Sequence, residues 1–506
     1  MHGTRKMKQR LVATLAALAG LSLGTHGLAQ TSDALLDKLV QKGVLTLDEA
    51  QDLREESDKD FALAHAVKTG MPEWVNALRI NGDWRARYDN LQLPHNQEPQ
   101  VLGAQKQPDR HRFRQQLRIG FTAIMAEQFE VGIRLSSGDL TGGAPYADPT
   151  TYNNTLRQNG SKKPVYIDLG YAKWTPINNG KWTVVVTGGK MENAFSTTDA
   201  LFDYDYTPEG AAEQVTYTFS DAHQLKLIAG QYILDEQAYT SKAPYLLGEQ
   251  AKWDAIWNSK WSSSLSAGFF SIQQPAMLSP LGGYEIVAPG STPVGYPTPD
   301  IPQALSGPWA GNERVPIVNQ QTGVIHDVGA PENGFGTLAF NASVTYTKES
   351  MPFYNGPFPI RPFAEYLENL DATAEAHGIQ AGIVFGKAGK RNTWEASYRF
   401  KYEEGNVWYE ALTDSDFGGF YQATPQLLSD GSHALGSSLV GNVIQNRQSG
   451  YLQGTNVKGH VMKFAYSPYD FLTLSATLYS TTLIRPDPLG SSSHVNRLLV
   501  DAMWRF

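Results

Sequence analysis

Along residues 495–506, V-N-R-L-L-V-D-A-M-W-R-F, every second position counted back from the end is apolar: Phe506, Trp504, Ala502, Val500 and Leu498. The positions between them, Arg505, Met503, Asp501, Leu499 and Arg497, are largely polar. A period of two over this length describes a strand with one apolar face and one wetter face. The stretch ends on an aromatic residue, and aromatic rings favour a membrane–water interface. A half-buried strand of a soluble sandwich alternates in the same way, so the rest of the chain has to decide.

From residue 79 the same period recurs. Ile80, Gly82, Trp84, Ala86 and Tyr88 alternate with Asn81, Asp83, Arg85, Arg87 and Asp89. Phe129, Val131, Ile133 and Leu135 stand against Glu130, Arg134 and Ser136. Trp394, Ala396, Tyr398, Phe400 and Tyr402 stand against Glu395, Ser397, Arg399, Lys401 and Glu403. Soluble sandwich strands average about five or six residues. These runs are longer, near the length a tilted strand needs to cross a bilayer.

The connections alternate as well. Gaps of 91–111, 139–163, 194–212, 235–249, 273–335, 405–456 and 483–493 are long. Those between them, 126–127, 176–181, 221–222, 260–261, 388–391 and 468–470, are tight. Two gaps depart from the rhythm: 348–359 is long for its side and 371–376 is short. Short turns on one side and long loops on the other predict an all-β, antiparallel transmembrane β-barrel of about 16 strands over residues 77–506. Lipid tolerates no unpaired sheet edge, so the first and last strands are expected to meet. A barrel of this size encloses an aqueous lumen, and an even strand number puts both termini on one, periplasmic, side.

Ahead of the barrel, residues 1–29 read as a secretory signal: Arg5, Lys6, Lys8 and Arg10, then an apolar run at 11–23, then small residues. Residues 30–76 read as a short N-terminal periplasmic helical segment, with Ser32 as a cap and Thr46 with Glu49 as a capping box. Removing the signal takes four basic residues and no acid, so the excess of acids grows from eight to twelve. That balance argues against nucleic acid as a partner. The absence of Cys excludes thiolate catalysis, Cys-ligated metals and disulfides.

Five stretches carry a family resemblance: L-L-D-K-L-V-Q-K-G-V-L-T-L-D-E-A at 35–50, G-G-K-M-E-N-A-F at 188–195, L-F-D-Y-D-Y-T-P-E-G-A-A at 201–212, N-V-K-G-H at 456–460 and D-A-M-W-R-F at 501–506. With them the mature chain resembles the putative porin family of Gram-negative outer membranes. The resemblance implies an outer-membrane pore for passive diffusion of small hydrophilic solutes or ions, with no cofactor and no reaction. It also implies Trp504 and Phe506 as a C-terminal assembly signal for the outer-membrane barrel assembly machinery. Outer-membrane lipid is the other expected partner, and homo-oligomerisation is left open. In architecture the chain is similar to the general porins, whose pore-narrowing loop follows the fifth strand.

Here that loop, 194–212, holds Asp199, Asp203, Asp205 and Glu209. Neighbouring strands carry Arg85, Arg87, Arg112, Arg114, Arg118 and Arg134 on the expected lumen face. If the loop folds inward, acids face arginines across a pore constriction, a field that orients dipolar solutes and sets ion preference. The competing reading is a solvated external loop and a wide, arginine-lined pore. The Pro- and Gly-rich gap 273–335 is a rival plug. Catalytic and metal sites are not expected: the closest His pair in sequence is His95 and His111, and a Gly-x-Ser-x-Gly match at 20–24 lies inside the signal. His460 is the one candidate for an alternative, a barrel enzyme acting on lipid; a surface-binding adhesin with a plugged lumen is the other.

Overall fold

The computed structural model describes residues 72–94, 109–139, 148–236, 243–278, 311–313, 331–421, 450–486 and 492–506, together with short strands at 317–319, 324–326, 426–427, 433–434, 438–440 and 443–445. The expected signal and the helical segment as far as residue 71 lie outside the described residues. Residues 72–76 form a turn and the start of the first strand.

Sixteen long strands follow. They are β1 (Val75–Gln92), β2 (Arg110–Met125), β3 (Phe129–Ser137), β4 (Val165–Asn178), β5 (Trp182–Lys190), β6 (Glu209–Ser220), β7 (His223–Ile233) and β8 (Tyr245–Ile256). The second half runs β9 (Trp261–Gln273), β10 (Phe335–Lys348), β11 (Phe358–Asn369), β12 (His377–Gly386), β13 (Thr393–Glu403), β14 (Val457–Tyr469), β15 (Leu472–Leu483) and β16 (Val495–Arg505). They divide between two units, residues up to 78 with 123–126, and 79–122 with 127–506. In the first, Val75 N–H donates to the Pro72 carbonyl and Ala126 N–H to that of Trp74 (3.0 and 2.9 Å).

The second unit is the barrel. Each strand pairs with its neighbours in sequence, and the sheet closes where β1 meets β16 antiparallel. Trp84 lies opposite Trp504 and Arg87 opposite Asp501. The final residue takes part: Phe506 N–H donates to the Gly82 carbonyl (3.0 Å) and its carbonyl accepts from Gly82 N–H (2.8 Å). The alternation of connections is present too: tight turns such as 179–181, 221–222 and 470–471 join strands at one rim, and the strands joined by the long connections 274–334 and 404–456 end at the other.

Period-two patterning decides which side chains face out. On β3, Phe129, Val131, Ile133 and Leu135 are exposed while Gly132 is buried. On β4, Ile167 is 68% exposed. Such an apolar outer surface suits lipid rather than water. Near the short-turn rim aromatic rings meet directly across strands: Trp84 with Trp504 (5.0 Å between centroids), Phe129 with Trp174 (5.5 Å), Trp182 with Tyr217 (4.5 Å) and Trp261 with Tyr346 (4.9 Å). This is the girdle expected of rings that favour the interface.

The packed core lies inside the barrel. Tyr232, Leu246, Phe270, Phe335 and Leu367, inward-facing on β7 to β11, are essentially buried. The residues that bury them come from loops.

Candidate functional site

The loop after β5, 191–208, departs and returns through two glycines that pair across β5 and β6, Gly189 (φ 114°) and Gly210 (φ 148°). Positive φ is open to glycine and strained for other residues. At Gly210 a Cβ would stand 2.0 Å from the Gln231 carbonyl oxygen, so a side chain is also sterically excluded. Once inside, Phe195, Leu201 and Phe202 pack on the apolar wall. Phe195 meets Phe270 edge-on at 4.9 Å, and Phe202 meets Trp408 edge-on at 5.9 Å.

Trp408 belongs to a second inward segment, 404–421, which follows β13. Val407, Trp408 and Leu412 join the same core. The two segments are tied by backbone: Asp203 N–H donates to the Leu412 carbonyl (2.7 Å), and Asp414 N–H to that of Asp199 (3.1 Å). Ser415 N–H donates to Asp203 Oδ2 (2.9 Å) and Ser415 Oγ to the Thr150 carbonyl (3.0 Å). Thr150 begins a third segment, in which Tyr152 donates its hydroxyl to the Asp205 carbonyl (2.8 Å) and Asn154 and Thr155 pair with β2. Three stretches of loop therefore converge in the lumen and hold one another there.

Their acids meet cations of the wall. Arg399 of β13 binds Asp199 (2.6 Å) and Asp414 (3.3 Å). Asp416 takes Arg87 (3.2 Å) and Arg497 (3.0 Å), and Arg87 also holds Asp501 (2.7 Å). Burial raises Asp203, and the nearby charges of Asp205 and Asp414 raise it further. Burial and then the charge of Asp199 push Asp414 up to about 7. For Asp416 burial works upward but is outweighed by Arg497 and Arg87, which hold it well below the usual carboxylate range.

Beside this cluster lies a lumen cavity of about 500 Å³. Of the residues singled out in the sequence, Arg85, Arg87, Asp199, Asp203 and Asp205 line it. The others lie elsewhere. Arg112 (2.5 Å) and Arg114 (3.5 Å) converge on the buried Asp89, together with Arg497 (3.0 Å). Arg118 pairs with Asp83 (2.8 Å), and Arg134 pairs with Asp168 and with Glu192. Glu209 opens β6, where its exposed carboxylate meets Lys190 (3.1 Å). Trp504 stands in the outer girdle and Phe506 is exposed beyond it. His460 sits on the outer face of β14, where its Nδ1 shares a hydrogen bond with the Tyr398 hydroxyl (2.9 Å).

Sequence reading passed over Arg361, Arg399, Lys463 and Arg505 on the wall and Asp414 and Asp416 in the second loop, all of which line the cavity. Arg399 and Arg505 already stood in polar half-sets of strands, which was a usable signal. Asp414 and Asp416 gave none, because nothing in the pattern says that the loop after β13 turns inward.

A closed antiparallel barrel with an apolar outer face, and a charged lumen narrowed by inward loops, is the build of an outer-membrane diffusion channel. Residues 62–271 match the model of the family described as putative porin. No curated protein matches the sequence. Solved structures similar in fold include OprB of Pseudomonas putida in its high-pH structure, 12% identical, covering 88% of this chain and 96% of that one at a TM-score of 0.46. The outer membrane channel DcaP of Acinetobacter baumannii is 12% identical, covering 85% and 97% at 0.39. A triple mutant of the Rhodopseudomonas blastica porin is 11% identical, covering 85% and 100% at 0.37. At such identities and scores the functional reading rests on the barrel and the family match, not on these likenesses.

Proposed function

We propose that this protein is an outer-membrane porin whose selectivity is set where the loops 148–155, 191–208 and 404–421 narrow the lumen. The observation that carries the reading is the division of surfaces: exposed aliphatic and aromatic side chains outside, and a cavity lined by Arg85, Arg87, Arg399, Asp203 and Asp205 inside. Lipid solvates the first and water the second, which leaves diffusion through the middle as the work of the fold. No bond is made or broken in this reading. The sign of the field at the constriction sorts the solutes, because charges on a narrow low-dielectric wall are poorly screened.

Several features extend the proposal. Residues 1–29 are the signal, 30–76 a periplasmic segment and 77–506 the barrel. Both termini lie on the periplasmic side, and Trp504 with Phe506 serve assembly. The test is conductance of the detergent-purified mature protein in a planar bilayer under a salt gradient. Stepwise open-channel currents are the expected result. Repeated silence from barrels shown to be folded, by heat-dependent gel mobility, would overturn the reading in favour of a plugged barrel.

A further inference from the structure

The cations lining the cavity are not equivalent. Arg87, Arg399 and Lys463 each have a carboxylate partner: Asp501 at 2.7 Å, Asp199 at 2.6 Å and Glu395 at 3.0 Å. Arg85, Arg361 and Arg505 have no ion pair to any described carboxylate. Arg85 gives one hydrogen bond, to Asn153 Oδ1 (2.9 Å), and its buried Nε has no partner. Arg361 and Arg505 are exposed to the lumen. A guanidinium keeps its charge at any pH of interest and offers donors in a planar fork that matches a carboxylate.

Two of the three gather at one mouth. Arg361 lies near the start of β11, opposite Val384 of β12. Arg505 closes β16, yet its Nη1 reaches to 3.6 Å from where a Cβ would stand on Gly389, in the turn after β12. Both guanidiniums therefore flank the short-turn end of the cavity. The apolar side chains Phe363, Val384 and Met503 line the same cavity. At its loop end the acids Asp203 and Asp205 stand beside Arg85, whose charge acts on Asp205, so the uncompensated cations are those of the short-turn end.

From this polarity we infer that the short-turn half of the lumen is a binding site for small organic carboxylates. The carboxylate is held by Arg361 and Arg505 and its apolar body lies against Phe363, Val384 and Met503. The inference rests on the porin reading and adds the solute class. Unpaired guanidiniums on a lumen wall concentrate anions, and the adjoining apolar patch favours an organic acid over chloride.

The experiment uses the full mature protein in planar bilayers, with sodium benzoate titrated into potassium chloride on the periplasmic-equivalent side. Saturable reduction of the chloride current by benzoate is expected. In the double variant Arg361→Gln, Arg505→Gln the benzoate concentration for half-reduction should rise about tenfold. Lys181→Gln, which removes a charge from the same rim outside the cavity lining, should leave it unchanged. Heat-dependent gel mobility establishes that each variant is folded, and glucose entry into liposomes reports an open lumen. A folded, glucose-permeable channel whose current ignores benzoate, or whose response survives the double substitution, overturns the carboxylate site and leaves the porin intact. Folded barrels with neither conductance nor glucose entry overturn both.

Discussion

The two halves of the lumen wall are built on opposite principles. Toward the loop end of β7 to β11 a run of inward side chains is apolar, Ile228, Tyr232, Leu246, Phe270, Phe335 and Leu367, interrupted by Gln250 and Glu365, which bond the inward loop; Arg361, near the other end of β11, faces the cavity. From β13 through β16 and on to β4 they are charged: Arg399, Lys401, Lys463, Arg497, Asp501, Arg85, Arg87, Asp89, Arg134 and Asp168. The apolar half cannot face water cheaply, so it recruits Phe195, Phe202, Trp408 and Leu412 from the inward loops. The charged half stays open and lines the cavity. The position of the pore thus follows from where the wall is greasy on both faces.

The largest effect should come from cutting that anchor. Trp408 is fully buried among Phe202, Phe270 and Phe335. Replacing a buried Trp by Ala costs about 3–5 kcal/mol, and here the loss falls on loop docking rather than on the ladder of strands. Trp408→Ala should give a folded barrel with higher, noisier conductance and with the segment 404–421 newly cleavable by protease. Unchanged conductance together with intact protection would mean that the apolar wall is not what holds the loops.

How much of this could be read from the chain divides along the same line. The charged half was legible, because strands such as 79–90 and 393–403 alternate cleanly between outward apolar and inward charged positions. All sixteen strands, and the two irregular gaps at 348–359 and 371–376, could be placed from that period and the rhythm of the turns. The apolar half was read as strands but not as a docking wall. Phe269, Phe270 and Ile272 look alike in sequence, yet Phe269 is exposed while the other two are buried under a loop. Alternation weakens when both faces are apolar. The inward course of 404–421 depends on long-range contacts, such as Asp203 N–H with the Leu412 carbonyl, that no local pattern encodes. Glu209 was grouped with the loop acids because the strand boundary was placed a few residues late; β6 begins at Glu209 itself.

A middle-sized effect concerns pH. Asp414, raised to about 7 by burial and Asp199, faces Arg399 and Lys401 of β13, with Asp203 and Asp416 on the neighbouring loop stretches. It gains a proton as pH falls through neutrality, while Asp416 stays ionised. Acidification from pH 8 to 6 therefore removes negative charge from the loops, and the reversal potential should move toward chloride. Because the folded protein binds this proton more tightly than an unfolded chain, the contribution of Asp414 to stability is greatest below its unfolded pKa and declines as pH rises toward 7. Asp414→Asn should abolish most of the shift in reversal potential. A shift that persists in the variant would assign it to other groups, Asp203 first.

The smallest effect is the control that the comparison demands. Glu209 directly follows the inward loop's last tie to the wall, the bond from Met191 N–H to the Pro208 carbonyl (2.9 Å), but its carboxylate is exposed and joined to Lys190. An exposed pair of this kind is worth about 0–1 kcal/mol and is screened by salt. Glu209→Gln should leave both stability and reversal potential within error of the parent, whereas Asp203→Asn with Asp205→Asn should move the potential toward anions. If Glu209→Gln shifted selectivity as far as the double substitution, charge at the loop base would act over distance as effectively as charge in the lumen. The contrast between an ion-sorting interior and an electrically indifferent rim would then fail, since screening by bulk salt is what separates the two.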